Sequence, residues 1–180
     1  MIRILLALLL VFSFIQTSFA YVSDEQGTAI FKDIIKQAEK SYGAIPPIGL
    51  YYDVSSIFPN AYIGDLESCP GIQKEIVCIV IVHKWMQHLT PGQFAAIVGH
   101  EVGHFEHGDL FGTALDSQRK EHMADEFGIW IANLAGYNGC EVAQVWKQFA
   151  GKDHSLKGPG THPTPWSRYL ATSKQCGLPV

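Results

Sequence analysis

Apolar residues first recur at helical spacing in residues 24–42, where Ile30, Ile34 and Ala38 share one face and Phe31 and Ile35 lie beside them. Ser23-Asp24-Glu25-Gln26 ahead of them has capping-box spacing, and Gly43 with Pro46-Pro47 ends the pattern, which predicts a helix. The period then shortens. Residues 48–54 and 60–63 read as short strands. Residues 75–82 give the strongest strand, because Ile76, Val77, Ile79, Val80, Ile81 and Val82 crowd together. Thr90-Pro91 places a cap ahead of a first-turn proline and opens a helix to about residue 106. Further helices are predicted over 117–134, ended by Gly136, from near 141 to just before Gly151, and after Pro163 or Pro165. The glycine-rich stretch 151–161 reads as a mobile loop. A few strands followed by several helices predict an α+β domain without an internal boundary.

The first twenty residues follow another logic. Arg3 supplies a positive start, 4–15 are almost unbroken aliphatic and aromatic, and Ser18-Phe19-Ala20 sets small residues where a signal peptidase reads. The expectation is a signal peptide over 1–20, cleaved after Ala20, and one domain over 21–180. An uncleaved membrane anchor is the alternative, although the apolar stretch is shorter than the roughly 20 residues a spanning helix needs. No later segment is long and apolar enough to span, so the mature chain is expected to be soluble, with peripheral membrane association left open. Export to the periplasm of a Gram-negative bacterium, or secretion, is the expected location.

Composition narrows the partners. A chain of 180 residues, 47% hydrophobic and 17% charged, has room for one folded domain. A net charge of -4 gives no electrostatic reason to expect nucleic acid. In an oxidising compartment the four cysteines, Cys69, Cys78, Cys140 and Cys176, read as two disulfides. Three pairings are formally open; Cys69–Cys78 with Cys140–Cys176 is favoured, closing a short loop and tying down the C-terminal tail. A four-cysteine zinc site would want paired close spacings that are missing.

His100-Glu101-Val102-Gly103-His104 is an HExxH string inside a predicted helix. Histidines four apart project from one helix face within reach of one ion, and Glu101 can reach a water beside it. Two surface histidines on an ordinary helix would be the bland reading. A catalytic zinc takes a third protein ligand and keeps a fourth position open. The extended HExxHxxGxxH pattern is excluded, since His107 and Leu110 occupy its two further positions. Glu121 is the other solution, on the following helix and opposite the histidines if the two helices pair antiparallel. Asp125, four residues on, shares that face and is placed to accept from a ligand histidine, with His100 the preferred partner. Ala124 lets the helices approach. His83, His88, His107, His122 and His154 read as surface or supporting groups.

The pair HExxH and Glu121-His122-Met123-Ala124-Asp125 resembles the HExxH…ExxAD signature of metallopeptidase family forty-eight, which includes CAAX prenyl proteases, HtpX-type membrane proteases and the periplasmic BepA-like and LoiP-like proteases. Asn60-Ala61-Tyr62 is similar to that family's Asn-Ala-Phe edge strand, Gly128 and Ala135-Gly136-Tyr137 match the pattern after the third ligand, and Thr161-His162-Pro163 with Arg168 resembles its THPxxxxR element. The resemblance implies a zincin-like fold, a small sheet with an edge strand over a helical active-site bundle, and endopeptidase activity on unfolded or damaged envelope proteins. It implies one zinc per chain, substrate backbone pairing with residues 60–62 by strand addition, and His162 and Arg168 lining the cleft. Either could stabilise the oxyanion of the tetrahedral intermediate, and His162 could instead reach the metal and block it. The expected mechanism is metal-assisted hydrolysis with Glu101 as general base. A zinc-binding chaperone or assembly factor without proteolysis is the rival, and a non-catalytic disulfide module a weaker third.

Overall fold

The computed structural model describes residues 21–56, 60–64, 77–109, 117–151 and 162–180. The expected signal peptide, Cys69, His154, Thr161 and nearly all of the 151–161 loop lie outside the described residues. The first helix, α1 (Asp24–Tyr42), starts on a reciprocal cap, with Ser23 Oγ accepting from the Gln26 amide and Gln26 Oε1 accepting from the Ser23 amide. It buries Ile30, Phe31, Ile34 and Ala38 and stops at Gly43, whose φ of 92° needs a residue without a Cβ.

Three strands follow: β1 (Ile48–Asp53), β2 (Ala61–Gly64) and β3 (Val77–Val82). They form one sheet in the order β1-β3-β2. β1 runs parallel to β3 from Ile48↔Val77 to Asp53↔Val82, and β2 runs antiparallel to β3 from Ala61↔Ile81 to Gly64↔Cys78. Ile79 and Ile81 are fully buried in the central strand. Among the described residues β2 is an edge, with no strand beyond it.

A one-turn helix, α2 (His83–Met86), drops Met86 into the core and leads to Thr90. Thr90 and Gln93 repeat the reciprocal cap, and Pro91 opens α3 (Pro91–Glu106). From Phe94 to Gly103 every residue of α3 is buried, because the helix is packed against α1, β2, α5 and α4. Its partner α4 (Ser117–Leu134) runs antiparallel, at a separation only small residues permit. A Cβ on Gly99 would stand 2.9 Å from Gly128 Cα, and one on Gly103 would stand 3.2 Å from Ala124 Cα.

A short 3-10 turn (Gly139–Glu141) passes into α5 (Val142–Ala150), and α6 (Pro165–Gln175) packs on α5 and α4 behind a Thr164 cap. A disulfide joins Cys140, just before α5, to Cys176, just after α6. Cys78 carries no free thiol, and the other half of its expected pairing, Cys69, is outside the described residues. The whole is an α+β domain, with a three-stranded sheet and six helices among the described residues. No described helix is long and apolar enough to cross a membrane.

Candidate metal centre

His100 and His104 leave α3 on the face turned to α4, and Glu121 leaves α4 toward them from its second turn. One donor atom from each lies within 4.8 Å of the others. His100 Nε2 and His104 Nε2 face each other at 3.0 Å, and each stands 3.4 Å from an oxygen of Glu121. His100 and Glu121 are buried and His104 half-buried.

The other face of each ring sets its tautomer. His100 Nδ1 lies 3.0 Å from Asp125 Oδ1, and His104 Nδ1 lies 2.9 Å from Asp109 Oδ2. An ionised carboxylate only accepts, so both Nδ1 atoms carry hydrogen and donate, which leaves both neutral Nε2 atoms as lone pairs. Two lone pairs and a carboxylate thus converge, and Glu121 Oε2 is buried without a hydrogen bond. Three such acceptors repel one another unless a cation or protons sit between them. Donor set and orientation therefore fit a divalent metal.

In a chain stripped of metal, the same carboxylates favour a proton on the histidines instead. Burial opposes a charge on His100, but the Asp125 and Glu121 carboxylates outweigh it and lift its pKa to about 9. His104 is raised too, burial again being overcome, chiefly by Glu121. Burial works against ionisation of Glu121, yet the two histidines hold its carboxyl far below the usual range. Asp125 is held down to about 2, burial being outweighed first by Arg168.

Arg168, from α6, is buried and donates through Nε to Asp125 Oδ2 at 2.8 Å and through Nη2 to Asp125 Oδ1. Its guanidinium carbon sits 3.6 Å from the centre of the Trp146 ring, and Nη1 lies 3.9 Å from Glu121 Oε2. The fork of the guanidinium closes on Asp125, so Arg168, which also lines the cleft, fixes the carboxylate that orients His100. His162 is different. Its side chain is 45% exposed, and Nδ1 lies 2.8 Å from Glu121 Oε1, at the mouth of the triad.

Asp109 had no signal in the motif. It follows the end of α3, where Gly108 takes a φ of 72° and turns the chain back, so its carboxylate meets His104 Nδ1 and lies 3.8 Å from Lys120 Nζ on α4. A glycine just past the helix that carries the HExxH string, followed by Asp, is the signal that could have found it.

These groups share a cleft of about 590 Å³. Buried Glu101 lines it beside His100, and so do Asn60, just before β2, and Ala61 and Tyr62 at its start. The cleft thus brings together the three metal-ligand candidates, Glu101, Asp125, His162, Arg168 and the edge strand.

Comparison with known proteins matches residues 20–118 to Peptidase family M48. That span includes His100, Glu101 and His104 and ends before Glu121. Protease HtpX of Hydrogenovibrio crunogenus is 25% identical over 115 residues, 64% of this chain and 34% of that protein. The chain therefore aligns with about a third of the length of this relative. No solved structure gives a significant match. With more than half of its residues matched, and with a His-His-Glu group that could hold the metal on which this family depends, the chain belongs to peptidase family M48.

Proposed function

We propose that the chain is a zinc-dependent endopeptidase that hydrolyses peptide bonds in unfolded or damaged proteins of the cell envelope. The convergence of His100 Nε2, His104 Nε2 and the Glu121 carboxylate beside Glu101 carries this reading. Two imidazoles and one carboxylate suit zinc among the common divalent ions. When bound, zinc supplies Lewis acidity that lowers the pKa of water toward about 7 and polarises a carbonyl.

The remaining work falls to the chain's own side chains. Glu101, one residue beyond His100 and facing the cleft, takes a proton from the attacking water and passes it to the leaving amine. Asp125 and Asp109 hold the rings of His100 and His104, and Arg168 holds Asp125. β2, an edge strand among the described residues, lies along the cleft, and an extended polypeptide adds to it as a further strand. His162 lies at the mouth, where it meets either the developing oxyanion or, with no substrate, Glu121. Export to the periplasm is supported by the apolar leader in the sequence and by the Cys140–Cys176 disulfide, which suits an oxidising compartment.

Casein cleavage by zinc-loaded wild type and by Glu101→Gln tests the proposal. Wild type is expected to cut and Glu101→Gln to lose nearly all activity while retaining zinc. Equal cleavage by both would remove Glu101 from the reaction.

A further inference from the structure

One end of the cleft is apolar, and the metal chemistry does not explain it. Val142, Trp146 and Phe149 recur along α5 at spacings of four and three, so they form one stripe, and all three line the cleft. Trp85 of α2 closes the stripe from the other side, with its ring 5.9 Å from that of Phe149. Ile97 continues the apolar surface onto α3, one turn ahead of His100 and Glu101. The wall therefore runs directly into the reacting centre. Trp146 marks the junction, since its ring carries the Arg168 guanidinium that grips Asp125.

We propose that this aromatic-walled end is a subsite for a large apolar substrate side chain next to the scissile bond, so that cleavage falls beside Phe, Leu or Met. The inference rests on the peptidase reading and adds its substrate class. Trp85 and Phe149 are only partly buried, so they keep apolar surface open to the cleft that an incoming side chain would remove from water. Among the described residues, the guanidinium that lies on Trp146 is already held by both oxygens of Asp125, so it is not open to an acidic side chain. A charged side chain would lose water against the Trp85 and Phe149 rings, which offer it no opposite charge. Trp85 and Phe149 are thus specificity-determining, whereas Trp146 also supports the metal ligands through Arg168 and is a poor choice for a clean test.

The test uses the zinc-loaded full chain on a matched peptide pair, with Phe or Ala beside the cleaved bond, for wild type, Trp85→Ala, Phe149→Ala and the conservative Phe149→Leu. Wild type is expected to favour the Phe peptide in kcat/KM by about tenfold or more, as a filled apolar pocket does. Trp85→Ala and Phe149→Ala should erase most of that preference, read as the Phe:Ala ratio of kcat/KM within each variant so that any general loss of activity cancels, and Phe149→Leu should restore much of it. Unchanged preference in both alanine variants would overturn the subsite. Binding of the same peptides, followed by tryptophan fluorescence in the presence of zinc, separates the two possible failures. Binding that favours Phe without any cleavage would keep the subsite and defeat the peptidase reading; cleavage and binding that are both blind to Phe would defeat the subsite alone.

Discussion

The backbone of Gly128 lies so close to that of His100 that a Cβ on Gly128 would stand 2.7 Å from the His100 amide nitrogen. The same Cβ would meet the Ala96 carbonyl at 2.4 Å. Backbone on both sides cannot yield, so the helix carrying His100 and His104 and the helix carrying Glu121 are held at glycine distance. Gly128→Ala is expected to cost about 1–3 kcal/mol by overpacking and to move Glu121 away from the histidines. Thermal melting and zinc titration read the two effects. A variant that melts and binds zinc as wild type would show that the helix spacing does not set the site.

The buried Arg168–Asp125 pair gives a second prediction. Arg168→Met leaves a carboxylate buried without its partner and is expected to destabilise the fold by about 3–5 kcal/mol. Asp125→Asn keeps the shape but weakens the hold on His100 Nδ1, and a loss of about 10–100-fold in metal affinity is expected. Isothermal titration with zinc measures this, and affinity within twofold of wild type would deny Asp125 an orienting role.

The raised pKa of His100 makes the stability of a metal-stripped chain depend on pH in a definite direction. His100 has a folded pKa raised from 6.5 to about 9, so its contribution is fully present below about 6.5 and is lost as pH rises through about 9. In a chelator, the thermal midpoint should fall across that window. Zinc requires the neutral rings, so zinc-saturated chain should gain stability over the same rise in pH. A chelated sample whose midpoint is flat from 6.5 to 9 would contradict the protonated state of His100.

The Cys140–Cys176 disulfide closes a loop with a sequence separation of 36 and ties the start of α5 to the end of α6. Replacing both cysteines by serine is expected to cost about 2–4 kcal/mol, measured by denaturant unfolding. Zinc affinity should fall less than in Asp125→Asn, because Arg168 lies near the other end of α6. An unfolding free energy equal to that of wild type would show that the bridge restrains nothing.

Much of this architecture was legible because its signals are local. Ser23 with Gln26 marks one helix start by capping-box spacing, Thr90 with Pro91 marks another, and Gly43 marks an end. The crowded β-branched residues of β3 gave the central strand for the same reason. The juxtaposition of Glu121 and Asp125 with the HExxH face needed only an antiparallel helix pair, and Gly99, Gly103, Ala124 and Gly128 are the small residues such a pair requires. What depends on tertiary placement was not legible. Asp109 reaches His104 only because the chain turns at Gly108. Arg168 could be placed in the cleft from its motif, but its fork turns to Asp125 because burial leaves it no solvent to face. The parallel pairing of β1 with β3 and the stripe of Val142, Trp146 and Phe149 reaching Trp85 likewise require partners distant in sequence.

Glu121 is the candidate ligand that lies beyond the family-matched residues, and the proposed centre depends on it most. Zinc titration of metal-free wild type, Glu101→Gln and Glu121→Gln by calorimetry addresses it directly. One zinc per chain is expected in wild type and in Glu101→Gln with similar affinity, and weaker binding by about 100-fold in Glu121→Gln, which loses a charged ligand. Zinc bound by Glu121→Gln as tightly as by wild type would contradict the His100–His104–Glu121 centre.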